Sequence, residues 1–319
     1  MTRIAVLDDF QGVALKAADW SVLPADAKIT VFNDHIADQA KLIERLRDFE
    51  VVCVMRERTP LNRQTIEALP KLKLIVTPGM RNASIDIKAA SERGVMVCGT
   101  ASLGHPTAEL TWGLILSLMR HIHTESHAMR QGKWQTTVGG SLKGKVLGMI
   151  GLGNLGSQVA RIGAAFGMQV IGWSENLTAR RAAEVGARLV TKQDLLREAD
   201  IVTIHLVLSP RTRDLIGAAE FALMKPTAYI VNTSRGPIIN EAALIAALEK
   251  KQIAGAGLDV YDVEPVSPDH KFRKLPNLLA TPHLGYVTDD TYKVFYREQV
   301  EDIKAWLDGK PVRVLQPAA

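Results

Sequence analysis

Short β-branched runs punctuate the first third of the chain, at residues 3–7, 28–32, 51–54, 72–76 and 95–97. Compact apolar runs of this kind, each bounded by polar residues, predict strands. Between them the spacing turns helical. Residues 37–47 put Leu42, Ile43 and Leu46 on one stripe, and Thr59 and Pro60 introduce a second helical segment at 62–69. Strand and helix alternating in this way predict a parallel sheet covered on both faces. Pro106 then opens an apolar stretch reaching to about residue 130, with Leu110, Leu114, Ile115, Leu118 and Met119 along it. Its length and apolarity predict a single long helix buried between two domains.

After Gly139 and Gly140 the alternation restarts, with strands predicted at 146–150, 169–173, 201–206, 228–232, 255–260 and 278–280. Helical segments fall between them, at 158–166, 195–198, 220–224 and 241–250. A second doubly wound unit follows from this pattern. The last helix, about 289–307, finds no obvious place in that unit and is expected to return to the first.

A chain of 319 residues agrees with two domains on a prior of about 150 residues each. Its 47% hydrophobic and 23% charged residues exclude a disordered chain, a collagen-like fibre and a disulfide mini-scaffold. Apolar runs such as 51–55 and 228–231 fall far short of the roughly 18 to 20 residues of a membrane helix, so no membrane partner is expected. The first residues lack the apolar core and cleavage site of a signal peptide, and a cytoplasmic location is the expectation. Cys53 and Cys98 sit inside apolar runs and read as buried free thiols. The net charge of +5 is spread among acidic residues, which argues against nucleic acid and for a mild bias toward anionic small molecules.

Residues 151–156, GLGNLG, follow a predicted strand directly and open a predicted helix. Gly151 suits the tight turn, Gly153 the approach of a pyrophosphate to the backbone, and Gly156 close packing of helix on strand. The helix start at Asn154 and Leu155 would then offer free N–H groups and a partial positive charge. A glycine turn alone is a weak signal. Strand, turn and helix in register make it a dinucleotide site. Where the next strand ends, an acid would bind the adenosine ribose, and this chain has Ser174 there. Loss of the acid, with Arg180 and Arg181 close by, favours NADP; Glu175 turned inward would suit NAD, and a solvated helix face explains the arginines equally well.

Three later segments place polar residues at the carboxyl ends of apolar strands, where ligands bind in open α/β sheets. They are NTSRG ending near Arg235, GLDVYDVEP with Asp259 and Glu264, and TPHLG with His283. Singly, each has a structural explanation: a surface ion pair, an acidic loop, a packed histidine. The order GLGNLG, Lys225-Pro226, NTSRG, GLDVYDVEP, TPHLG resembles the D-isomer-specific 2-hydroxyacid dehydrogenase family along nearly the whole chain. The resemblance implies a Rossmann nucleotide domain, residues 101–284, inserted into a flavodoxin-like substrate domain built from 1–100 and 285–319. It implies Arg235, Glu264 and His283 as the catalytic set and a homodimer as the assembly, for which the apolar helix at 110–119 would be suited.

Reducing a 2-oxo acid leaves an alkoxide that needs a proton donor, a task for His283, with Glu264 orienting the imidazole and favouring its charged form. Arg235 offers a planar fork to the substrate carboxylate. By resemblance, Asp259 lies near the nicotinamide carboxamide, Thr107 near a cofactor phosphate, Thr233 among the cofactor contacts, and His205 and Pro210 on the adenine side. A packed strand-end histidine is the plainer reading of His205. The loop 78–82 would hold the substrate, Met80 and Arg81 included. Arg81 and Asn82 depart there from the small or apolar residues of the family, so Arg81 is expected either to bind a second acidic or polar substrate group or to form an interdomain salt bridge. His121, His123 and His127 lack HExxH spacing, and no metal is expected. The function expected is NAD- or NADP-dependent reduction of glyoxylate, hydroxypyruvate or a substituted pyruvate. Two readings compete: a nucleotide-dependent redox-sensing binding protein of the same fold, which need not keep the full set, and a formate dehydrogenase, against which Glu264 argues.

Overall fold

The computed structural model describes residues 1–317. The chain divides into two compact units, Met1–Leu103 together with the segment from Thr288, and Gly104–Val287.

The first unit begins with β1 (Arg3–Val6), α1 (Ala14–Ala17), β2 (Lys28–Val31), α2 (Gln39–Leu46) and β3 (Val51–Cys53). It continues with α3 (Arg63–Ala68), β4 (Leu74–Thr77), α4 (Ile87–Glu92) and β5 (Met96–Gly99). The strands pair in parallel in the order β2-β1-β3-β4-β5. Interior strands β3 and β4 are buried at every position, as strands covered on both faces must be. Asp38, Asn62 and Asp86 cap α2, α3 and α4 by accepting from the third helical N–H, each worth about 1 kcal/mol.

The second unit holds α5 (His105–Met119), α6 (Ile122–Arg130), β6 (Val146–Ile150), α7 (Asn154–Ala165), β7 (Gln169–Trp173) and α8 (Ala179–Ala183). Then come β8 (Arg188–Leu189), α9 (Lys192–Glu198), β9 (Ile201–Ile204), α10 (Ala218–Phe221) and β10 (Tyr229–Asn232). It closes with α11 (Glu241–Glu249), β11 (Gly255–Leu258) and β12 (Leu278–Ala280). Seven parallel strands run in the order β12-β11-β10-β9-β6-β7-β8, so the order reverses between β6 and β9. Helix α5 packs on α7, β10 and β11, and β11 carries glycine where α5 crosses it: a Cβ on Gly257 would meet Leu118 Cδ1 at 3.1 Å.

Helix α12 (Asp289–Leu307) belongs to the first unit and packs on β4 and β5, burying Phe295, Tyr296, Val300 and Ile303. No helix among the described residues is long and apolar enough to cross a membrane.

Two features differ from the sequence reading. The single helix predicted from Pro106 to about residue 130 is two helices, because α5 stops at Met119 and His121 takes a left-handed φ of 51°. The cause lies twenty residues on: Gly140 N–H donates to Met119 O at 2.7 Å, taking the carbonyl that a continuing helix would use. Gly139 passes so close that a Cβ would meet the same oxygen at 2.8 Å. The second is β8, Arg188 and Leu189, two exposed residues too few to register as an apolar run.

One buried charge in the first unit has a measurable consequence. Asp302 on α12 is fully buried; its Oδ1 accepts from Arg313 Nε at 2.9 Å, and its Oδ2 has no hydrogen-bond partner. Burial pushes its carboxyl up to about 7, against the pull of Arg313 and with the repulsion of Glu298 and Glu301. Burial likewise pushes the neighbouring thiols of Cys53 and Cys98 up, so both stay protonated. A carboxyl whose pKa is raised on folding binds its proton more tightly in the folded state, so its contribution to stability is full below about 4 and is lost as the pH rises through about 7. Replacing Asp302 with Asn is expected to flatten the decline in urea midpoint between those two values. An unchanged pH profile would contradict the assignment.

Candidate active site

The turn between β6 and α7 is built by backbone contact. Gly151 has φ 99°, and a Cβ on it would meet His205 O at 2.5 Å. A Cβ on Gly156 would meet Gly151 O at 2.2 Å, so the third glycine lets α7 sit directly on the turn. Gly153 is different: a Cβ there would meet nothing within 4 Å. Helix α7 starts from Gly153 without a side-chain cap, leaving the first turn at Asn154, Leu155 and Gly156 uncapped by any side chain. Two glycines thus serve the protein's own packing, and the middle one faces open space at a positive helix end. This cradle, at the point where strand order reverses, fits the pyrophosphate of a dinucleotide.

Ser174 lies half-buried at the end of β7, and its carbonyl accepts from Leu177 N–H at 3.0 Å. Arg180 on α8 stands in solvent, its side chain 92% exposed with Nε 3.9 Å from Glu184. Burial pulls the His205 imidazole down to about 3, so the ring is neutral; Nε2 pairs with Thr203 Oγ1 at 2.9 Å while its carbonyl backs Gly151. His123 and His127 on α6 hydrogen-bond to Thr124 and Gln131.

The loops after β10, β11 and β12 leave neighbouring strands at the same sheet end. Asn232 closes β10 and shapes the first: its Nδ2 donates to Arg235 O at 2.9 Å and its Oδ1 accepts from Ser234 N at 3.0 Å. Ser234 Oγ donates to Ile204 O at 2.7 Å, and Arg235 Nη1 donates to Ser234 O at 2.7 Å. Gly236 then presses on the second loop so closely that a Cβ would sit 2.1 Å from Tyr261 C. In that loop Glu264 Oε1 accepts from Tyr261 N at 2.9 Å, and Oε2 lies 2.6 Å from His283 Nδ1. A carboxylate can only accept there, so Nδ1 carries the proton and Nε2 is the nitrogen left for chemistry. The edge of Tyr286 packs on the imidazole with centroids 5.4 Å apart.

His283 has φ 54°, left-handed backbone that costs a non-glycine residue about 1–2 kcal/mol. Asp259 holds it there. Fully buried, its Oδ1 accepts from Thr281 Oγ1 at 2.6 Å and Leu284 N at 2.7 Å, and its Oδ2 from Gly285 N at 2.8 Å. Burial pushes this carboxyl up from the usual carboxylate range, and the three hydrogen bonds work against that shift. Hydrogen bonds to a charged acceptor contribute about 1.5–3 kcal/mol each, enough to outweigh the strained backbone.

The second unit therefore gathers Arg235, Glu264, His283, Asp259, Thr107, Thr233 and the glycine turn. Met80 and Arg81 lie in the first unit, exposed on the loop after β4. Asn82 is buried and shapes that loop, donating from Nδ2 to Arg56 O at 2.7 Å and Thr77 Oγ1 at 2.8 Å. Sequence reasoning missed Tyr261, Tyr286 and Thr111; only Thr111 carried a signal, four residues from Thr107 on the same helix face.

The uncapped helix and its glycine turn at the reversal of a seven-stranded parallel sheet define a dinucleotide-binding α/β protein. The sequence model described as "D-isomer specific 2-hydroxyacid dehydrogenase, NAD binding domain" matches residues 112–285. The glyoxylate reductase of Aeropyrum pernix is 38% identical over 251 residues, 76% of this chain and 75% of its own length. The D-3-phosphoglycerate dehydrogenase of Methanocaldococcus jannaschii is 38% identical over 314 residues, 97% of this chain, which spans only 58% of that relative. The crystal structure of phosphoglycerate oxidoreductase from Vibrio cholerae superposes with a TM-score of 0.92 at 33% identity, over 97% of this chain and 100% of that one. The apo-structure of Escherichia coli D-lactate dehydrogenase gives 0.84 at 27% identity, over 98% and 100%. The chain belongs to the D-isomer specific 2-hydroxyacid dehydrogenase family.

The closeness of Gly236 to Tyr261 is testable. Gly236→Ala forces a methyl into main chain that has no flexible side chain to yield, and is expected to lower stability by about 2 kcal/mol or more. The urea midpoint reads it, and a midpoint equal to wild type would contradict the contact.

Proposed function

We propose that the protein interconverts small 2-oxo acids and D-2-hydroxy acids with a nicotinamide dinucleotide. The observation that carries this reading is His283 Nδ1 held 2.6 Å from Glu264 Oε2, which leaves Nε2 to exchange a proton with substrate. The relatives named glyoxylate reductase and D-3-phosphoglycerate dehydrogenase support it.

When bound, the nicotinamide supplies the hydride for C2 in reduction and accepts it in oxidation. Residues Gly151, Gly153, Asn154, Leu155 and Gly156 would hold the pyrophosphate end and Ser174, Thr107 and Thr233 would line the rest, while Asp259, sealed from solvent, would act there through the His283 turn. As the C2 carbonyl becomes an alkoxide, His283 Nε2 gives it a proton, and Glu264 stabilises the imidazolium before transfer and fixes the ring. The Arg235 guanidinium pairs with the substrate carboxylate and polarises the C2 oxygen. On this reading residues 101–284 form the nucleotide domain, and the discontinuous remainder is the substrate domain. Its loop offers Met80 as a wall and Arg81 to a second acidic or polar group of the substrate. Glyoxylate, hydroxypyruvate and substituted pyruvates form the substrate class. With Ser174 in place of an acid and Arg180 nearby, NADPH is the expected preference. A cytoplasmic homodimer is the expected assembly.

Steady-state oxidation of NADH and NADPH across a panel of 2-oxo acids tests the reading. Turnover with at least one acid is expected; nucleotide binding without turnover would replace the enzyme by a nucleotide-dependent binding protein. His283→Ala is expected to lower kcat by about 10²- to 10⁴-fold with nucleotide affinity intact, and full turnover at neutral pH would overturn the proton-donor role. Arg235→Lys should raise the substrate KM about tenfold or more, since an ammonium cannot reproduce the fork. An unchanged KM would move the carboxylate site elsewhere.

A further inference from the structure

We propose that Thr111 is a positioning residue that ties the Arg235 loop to the His283 turn through the first turns of α5. The proposal rests on the roles given to Arg235 and His283 above. Thr111 is fully buried on a helix that otherwise buries apolar side chains such as Trp112, Leu114 and Ile115, and its hydroxyl has two neighbours. Oγ1 lies 2.8 Å from Thr107 O and 2.8 Å from Thr233 Oγ1. A carbonyl only accepts and a hydroxyl has one proton, so Thr111 donates to Thr107 O, and Thr233 donates to Thr111.

One turn earlier, Thr107 Oγ1 donates to Gly285 O at 2.9 Å. Thr233 stands two residues before Arg235, and Gly285 two residues after His283. Each functional loop is therefore bound, at the same sequence distance from its reactive side chain, to one face of one helix. The Gly285 end has no slack: a Cβ there would meet Asp259 Oδ2, Thr107 Cγ2 and Thr107 Oγ1, all at 3.2 Å. The other end depends on a single hydroxyl. Removing it leaves the Thr233 O–H without its acceptor in a site closed to water, and the Arg235 loop must shift to satisfy it.

Thr111→Val keeps the shape and deletes the hydroxyl. For the holoenzyme with its best 2-oxo acid, kcat is expected to fall and substrate KM to rise, lowering kcat/KM about tenfold or more. Thr111→Ser restores the hydroxyl and is expected to recover both constants. Wild-type kcat and KM in Thr111→Val, or equal impairment in Thr111→Ser, would overturn the proposal, the latter assigning the effect to methyl packing. If Thr111→Val does not fold, Thr111→Ala is read by the same criteria. A second readout needs no turnover: the guanidinium ¹⁵N signals of Arg235, whose loop carries Thr233, are expected to move in Thr111→Val and to stay in Thr111→Ser. Signals unchanged in Thr111→Val overturn the tie even if wild type reduces none of the acids, an outcome that by itself would overturn only the functional reading.

Discussion

A carboxylate sealed from solvent at the end of β11 bears on everything that follows it. Asp259 gives its oxygens to Thr281, Leu284 and Gly285, the residues on either side of a histidine in left-handed backbone. Without those acceptors the turn would leave buried N–H groups unpaired, at about 1–3 kcal/mol each, and would relax toward ordinary backbone. The imidazole would then lose its 2.6 Å contact with Glu264. The proposed proton donor is thus placed by a second carboxyl that need not itself exchange protons. Burial raises the Asp259 pKa, and the same hydrogen bonds that shape the turn oppose that rise.

Close backbone approach organises the rest of the second unit. Gly151 against His205 and Gly236 against Tyr261 join segments at the carboxyl ends of different strands, Gly156 against Gly151 seats α7 on its own turn, and none of these contacts leaves room for a Cβ. A doubly wound sheet collects those ends along one edge. The glycines decide how tightly they assemble there. Helix α5 crosses that assembly and meets β11 at Gly257, which brings Thr107 and Thr111 to both functional loops.

Parallel strands buried on both faces read as nearly unbroken apolar runs, which is why β6 and β7 were legible to the residue and most others to within one or two positions; edge strand β12, only partly buried, was legible to the residue because its three positions are all apolar. The three polar motifs were legible because each follows such a run. What escaped had its cause elsewhere in the chain. The end of α5 depends on an N–H at Gly140, and β8 exists only because β7 lies beside it. Thr111 and Thr233 are 122 residues apart. Asp259 was read from resemblance as a neighbour of the nicotinamide, and its hold on the His283 turn required coordinates, since Leu284 and Gly285 use main-chain N–H groups that any residue would supply. Arg81 stood out in sequence by departing from the family's small or apolar residues, and its side chain lies exposed on the loop after β4.

The central claim is that hydride passes between a nicotinamide and C2 of a 2-oxo acid beside His283. It is tested most directly by incubating the protein with hydroxypyruvate or a substituted pyruvate, whose reduced products are chiral, and NADH or NADPH deuterated at both C4 positions, then resolving the product by chiral chromatography with mass detection. The account requires a D-2-hydroxy acid carrying one deuterium at C2. Product without deuterium, or the L-isomer, would contradict it.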